Sequence, residues 1–106
     1  MNAPAISSIG DLLDDVRQGR MVVILDERDG RRNEGVVMVA AEHCQASHVT
    51  FMARRARGLV CLALTRERCL QLDLPPMVAG GDDDAAQFTL SIEAARGIDT
   101  GISAAD

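Results

Sequence analysis

Apolar residues first recur at Ile9, Leu12, Leu13 and Val16, the spacing of one helical face. Ser8 precedes them, Asp11 stands three residues after it in an approximate capping box, and Gly19 follows, so the pattern predicts a helix over Ile9–Gln18. Met21–Leu25 is rich in β-branched residues and has no helical period, which predicts a buried strand feeding a polar loop over Asp26–Glu34. Gly35–Ala40 predicts a second strand. Val49, Met52, Ala53 and Ala56, three or four apart, predict a helix over His48–Arg57 closed by Gly58. Leu59–Leu64 is a third strand candidate, and Thr65 is placed to cap a helix reaching Leu72 before Pro75-Pro76 forbids its continuation. Gly80–Ala86 reads as a loop.

Phe88, Leu90 and Ile92 alternate with Thr89, Ser91 and Glu93, the period-two signature of a half-exposed strand over Phe88–Ala94. Gly97–Gly101 then reads as a turn, and Ser103–Asp106 as the opening of a helix. Alternating helices and strands place the chain in the α/β class and leave strand order open. No internal repeat or compositional shift divides it, so residues 1–106 are expected to form one domain.

The chain has 106 residues, 47% apolar, with two Phe and no Trp or Tyr, so a core must be aliphatic. A domain of this length is expected to remove roughly 65% of its unfolded surface from water, enough for an ordinary core without staples. Eleven cations, all Arg, stand against 16 acids for a net charge of −5, and no basic stripe interleaved with aromatics occurs, which disfavours nucleic-acid binding. The longest apolar runs are far shorter than the ~20 residues that cross a bilayer, and Met1–Gly10 lacks the features of a signal peptide. Cys44, Cys61 and Cys69 are an odd set with no Cys-x-x-Cys, against a disulfide framework or structural zinc. A reducing cytoplasm and no membrane partner are the expectation.

The densest polar cluster runs Asp26-Glu27-Arg28-Asp29-Gly30-Arg31-Arg32-Asn33-Glu34-Gly35. Arg can hold a phosphate there and carboxylates a hard cation. The competing reading is a solvated loop whose charges pair with one another. His43 and His48 are five apart rather than the four that would align two ligands on a helix face. Cys61 sits in an apolar strand pattern, which by itself describes a buried, inert thiol. Asp82-Asp83-Asp84 reads as a solvated loop.

The polar cluster resembles the signature loop of 3,4-dihydroxy-2-butanone 4-phosphate synthase, which runs Asp-Glu-Glu-Asp-Arg-Glu-Asn-Glu-Gly-Asp. Further matches follow in order, among them Ala40-Ala41-Glu42-His43, Phe51-Met52-Ala53, Arg57–Leu62, Leu64–Cys69, Leu74–Val78, Ser91–Ala94 and Thr100–Asp106. The resemblance covers nearly the whole chain and corresponds to the N-terminal half of such a domain. It implies a partial α/β sandwich, a mixed sheet with flanking helices. It also implies a lyase that converts ribulose 5-phosphate, with magnesium, into formate and the four-carbon precursor of riboflavin.

Carried over position by position, the resemblance assigns catalytic roles to Asp26, Glu34 and Cys61, sugar-phosphate binding to Arg31, and the later polar substrate motif to Thr100 and Asp106. The departures are specific. Gly30 is an insertion, Arg28 replaces an acid, Arg32 replaces the metal-binding Glu, and Val36 replaces a substrate-contacting Asp. Gly81 stands near the family's Asn in a loop one residue short, and Asp99 replaces the first of two Thr. A guanidinium offers magnesium no oxygen ligand and repels it, so metal binding is expected to be poor or absent and the activity impaired or lost. Three readings compete: an active lyase, a non-catalytic homologue that binds a sugar phosphate or an intact homologous chain, and a non-functional remnant. A homodimer or a partner chain is the expected cover for an unfilled apolar face.

Overall fold

A computed structural model of the chain describes residues 5–28, 32–80 and 88–106, and the chain divides into two units, residues 1–60 and 61–106. The first unit opens with α1, Ile9–Arg17, which ends with Gln18 as its C-cap. The Ser8 hydroxyl accepts the Asp11 N–H at 3.2 Å and donates to the Asp11 carboxylate at 2.7 Å, so Ser8 caps the helix as the spacing predicts. At the far end the Arg20 N–H donates to the Asp15 carbonyl at 2.9 Å and the Gly19 N–H to that of Val16 at 3.1 Å, the paired bonds of a Schellman motif. Gly19 takes φ +77°, and a Cβ there would come within 2.9 Å of His43 Cβ, so this turn requires glycine twice over.

Two strands follow, β1 (Val22–Arg28) and β2 (Arg32–Met38), paired antiparallel from Val22↔Met38 to Arg28↔Arg32. The segment expected to be a loop over Asp26–Glu34 is therefore strand at both ends, and only residues 29–31, which lie outside the described residues, fall between the strands. Backbone pairing needs no apolar side chain, so the ladder runs on past the last buried position into charged sequence. The second strand correspondingly ends at Met38 rather than Ala40.

A 3-10 turn, Ala41–His43, leads to α2, Ala46–Phe51, which begins two residues before the expected start at His48. The reason is a reciprocal cap: the Gln45 side chain accepts from the His48 N–H while His48 Nδ1 accepts the Gln45 N–H at 2.9 Å. α2 widens into a π-helical turn, Met52–Ala56, closed by Arg57 at φ +59° and Gly58 at φ +82°.

In the second unit α3, Arg66–Gln71, is capped by Thr65, whose hydroxyl accepts the Arg68 N–H at 3.1 Å. It ends in another Schellman pair, Leu74 N–H to Cys69 carbonyl and Asp73 N–H to Leu70 carbonyl, with Asp73 at φ +55°. The Leu59–Leu64 stretch does not form a strand: an apolar, β-branched composition fits a pleated surface but does not by itself make a ladder. Phe88–Ala94 is reduced to one antiparallel bridge, Pro76↔Thr89, with Met77 N–H to Phe88 carbonyl at 2.8 Å and Leu90 N–H to Pro75 carbonyl at 3.2 Å. Pro75 and Pro76 lack N–H donors, so on their side the pairing loses ladder bonds.

The secondary structure is that of a partial α/β fold, although the described sheet is two-stranded and antiparallel rather than mixed. The aliphatic core expected for this length is also incomplete. Among the described residues only Val22 is buried, at 6% exposure. A single hairpin and short helices supply too few layers to enclose one. A side chain such as Leu25, left more than half exposed, forgoes on the order of 1 kcal/mol of the stabilisation that full burial gives. No helix among the described residues is long and apolar enough to cross a membrane.

Candidate functional site

The hairpin register places Asp26 directly opposite Glu34, so two positions separated by eight in sequence become neighbours on one ladder rung. The next rungs are Glu27↔Asn33 and Arg28↔Arg32. In a pleated ladder, positions 26, 28, 32 and 34 share a face. The register thus sets two acidic positions, 26 and 34, on one rung and two arginine positions, 28 and 32, on another. Arg31 lies outside the described residues, as do Gly30, Gly81 and Asp82-Asp83-Asp84. Glu34 is exposed, and so is Val36 at 56%.

The residue types at these register positions bear on magnesium, the ion that the family resemblance implies. The ion needs several oxygen donors in near-octahedral order, and an acid about 4 Å from a unit charge contributes roughly 4 kcal/mol at an effective dielectric near 20, a sum that arginine reverses in sign. The Arg28↔Arg32 rung sets two guanidinium-bearing positions beside the one acidic pair. Among the described residues no group of three or more His, Cys, Asp or Glu is placed to hold a metal. The two histidines have local duties: His48 caps α2, and His43 packs on Gly19 with its Nε2 3.8 Å from Glu42 Oε1.

Asp26 and Glu34 belong to the first unit, and Cys61, Thr100 and Asp106 to the second. Cys61 is exposed, not buried as the apolar pattern around it suggests, because the strand that pattern predicts does not form. Cys44 is exposed as well, and Cys69 half-buried.

Thr100 and Asp106 are brought together. The Asp106 carboxylate accepts the Asp99 N–H on Oδ1 at 2.9 Å, and on Oδ2 the Gly101 N–H at 2.9 Å, the Thr100 hydroxyl at 3.1 Å and the Ser103 N–H at 3.3 Å. The Asp106 carboxyl is held well below the usual range for an aspartate, by the Asp99 N–H first and the Ser103 side chain next, with desolvation opposing them and the Thr100 hydroxyl and Gly101 N–H adding to the shift. Thr100 Oγ1 in turn accepts from the Ile102 and Ser103 N–H groups at 3.2 and 3.3 Å. Ser103, which the sequence reading did not single out, completes the turn: its hydroxyl accepts the Asp106 N–H at 3.3 Å. Ser-x-x-Asp spacing, the same signal that marks the start of α1, was the available clue. Gly101, at φ +74°, has the Glu93 carboxylate against it where a Cβ would stand.

The family model for 3,4-dihydroxy-2-butanone 4-phosphate synthase matches residues 10–106. A protein of Pseudomonas aeruginosa named 3,4-dihydroxy-2-butanone 4-phosphate synthase is 50% identical over 103 residues, covering 96% of this chain and 28% of the relative. One of the same name from Shewanella loihica is 42% identical, covering 100% of this chain and 52% of the relative. The crystal structure of RibBX, a two-domain 3,4-dihydroxy-2-butanone 4-phosphate synthase from A. baumannii, superposes with a TM-score of 0.80 at 52% identity, over 93% of this chain and 29% of that one. The chain thus spans about a quarter to a half of the length of these proteins. With a family match from residue 10 to residue 106 and half of its residues identical to a named synthase, the chain belongs to the 3,4-dihydroxy-2-butanone 4-phosphate synthase family.

Proposed function

We propose that the chain is the acidic-hairpin portion of a riboflavin-pathway synthase, that it recognises a sugar phosphate such as ribulose 5-phosphate, and that it does not turn this substrate over with magnesium by itself. The observation that carries the reading is the ladder itself: Asp26 opposite Glu34, with Arg28 opposite Arg32 two rungs away. Paired acids at one end of a hairpin are the groups needed to move a proton beside a carbonyl. The arginines next to them suit a phosphate through charge-assisted bonds. In this reading Asp26 and Glu34 are the proton-moving pair, Arg31 holds the phosphate, and Cys61 is a third reactive group. Thr100 and Asp106 shape the substrate end, Asp106 as a positioning residue whose carboxylate is engaged by its own loop. The mixed-sheet sandwich of the family belongs to the same proposal. Magnesium has no step here, because the residues present do not fit it.

Titration calorimetry of the chain with ribulose 5-phosphate, once with EDTA and once with magnesium, is expected to give the same binding in both. A formate assay at high protein concentration is expected to stay at background. Formate production that requires magnesium overturns the reading, and so does the absence of any binding.

A further inference from the structure

Arg57 holds a backbone conformation that arginine rarely takes. Its φ is +59° and its ψ −174°, a region that glycine enters freely and a residue with a Cβ only under strain. Asp73 is the other described non-glycine residue with positive φ, but it closes the Schellman turn after α3, where Asp is well tolerated. Arg57 is fixed by its own N–H, which donates to the Met52 carbonyl at 2.8 Å and closes the π-helical turn. Turns of this kind recur at functional sites, and residues in strained φ/ψ gather there too.

The chemistry of the segment is cationic. No Asp or Glu stands between Glu42 and Glu67, whereas Arg54, Arg55 and Arg57 all lie there, in a chain whose net charge is −5. All three are exposed. Arg17 and Arg20 pair with Asp14 and Asp15, and Arg68 donates to Gln71, but the three arginines of the turn have no such acceptor among the described residues. Cations near a helix C-terminus complement its dipole, which accounts for Arg54 and Arg55. Arg57 lies past the last helical residue, at a position where glycine would relieve the strain. A Cβ on Gly58, at φ +82°, would meet nothing within 4 Å, so the backbone beside Arg57 is open to a ligand. Guanidinium groups hold phosphate oxygens through paired, charge-assisted bonds.

We propose that the π-helical turn, with Arg57 and Gly58, is a phosphate site. Arg57 is its principal ligand, Arg54 and Arg55 add positive field, and the occupant is the phosphate dianion of a phosphorylated small molecule or free inorganic phosphate. The site rests neither on the hairpin residues nor on turnover of a sugar.

The test is a titration of the isotope-labelled chain at neutral pH and constant ionic strength with sodium phosphate, ribulose 5-phosphate and ribulose, followed by amide chemical shifts. Saturable shifts are expected at Ala56, Arg57 and Gly58 with both phosphates and not with ribulose. Tighter binding of ribulose 5-phosphate assigns the site to a phosphorylated small molecule, and equal binding assigns it to inorganic phosphate. Arg57→Gly is expected to weaken binding at least tenfold and to raise the urea midpoint, because glycine is unstrained at this φ and ψ. Arg57→Lys, which keeps the charge and loses the planar fork, should weaken binding by a smaller factor, and Arg96→Gln in the second unit should leave it unchanged. The proposal is overturned if none of the three amides shifts saturably, or if Arg57→Gly binds phosphate as tightly as the parent chain. It is equally overturned if Arg57→Gly lowers the urea midpoint, since the side chain would then be structural. Shifts at Asp26 and Glu34 with ribulose 5-phosphate, without any at residues 56–58, would sink this site and leave the hairpin reading standing.

Discussion

The hairpin strands hold Asp26 and Glu34, the Asp99–Asp106 turn holds Thr100 and Asp106, and the two regions are built in opposite ways. The turn is local: every bond that ties Thr100 to Asp106 spans seven residues or fewer, and the Asp106 carboxylate receives four donors from its own loop. The hairpin is held by a long ladder whose register sets Asp26 against Glu34, and its apolar side chains remain largely exposed. A polar turn can satisfy itself within a few residues, but an apolar surface needs other chain to cover it. The turn satisfies its own polar groups, whereas the described hairpin leaves Val23, Leu25 and Val36 more than half exposed.

The largest expected effect tests the charge pattern of the hairpin. Arg28→Glu combined with Arg32→Glu converts the basic rung to an acidic one and leaves the backbone ladder as it is. Calorimetry with magnesium chloride is expected to show at least tenfold tighter binding than in the parent chain. Unchanged magnesium binding would show that the sign of this rung does not govern the cation.

An intermediate effect concerns the turn that leads into the hairpin. Gly19→Ala places a Cβ 2.9 Å from His43 Cβ at a residue with φ +77°. The strain and the clash together are expected to cost about 2 kcal/mol. Urea unfolding followed by circular dichroism would read this as a lower midpoint, whereas the same substitution at Gly10, which lies within α1 at ordinary φ, should be neutral or stabilising.

The smallest effect is the pH response of the turn. Its folded carboxyl is depressed, so the stability that Asp106 contributes is fully present above the ordinary aspartate value near 4 and is lost progressively as pH falls below it. Amide exchange at Asp99 and Gly101, corrected for intrinsic rate, is therefore expected to be flat between pH 7 and 5. In Asp106→Asn the protection should be weaker at pH 7 and show no acid-dependent loss. A midpoint for loss of protection above pH 5 in the parent chain would contradict the hydrogen-bond arrangement of this turn.

Much of the local structure was legible in the sequence. Ser8 and Thr65 marked the starts of α1 and α3, and Gly19 and the proline pair marked the stops, because caps and breakers act within a few residues of themselves. The early start of α2 escaped notice because the cap is a Gln45–His48 pair, a less familiar combination than serine with glutamate. The strands were harder. The charged stretch after Leu25 reads as loop by side-chain polarity although its backbone pairs, and Leu59–Leu64 and Phe88–Ala94 read as strands by composition and alternation, which do not fix how a segment pairs.

The sequence by itself determined the family, the caps, and the substitution of arginine for acid at positions 28 and 32, since these are statements about residue types and short spacings. Only the tertiary structure decided that position 26 stands opposite 34 and 28 opposite 32, that Asp106 serves its own loop, and that Ile24 and Leu25, on opposite faces of the hairpin, each stay about half exposed. The physical reason is range. Hydrogen-bonded caps and turns are written in adjacent residues, whereas register, charge pairing across a ladder and burial depend on which distant segment arrives alongside.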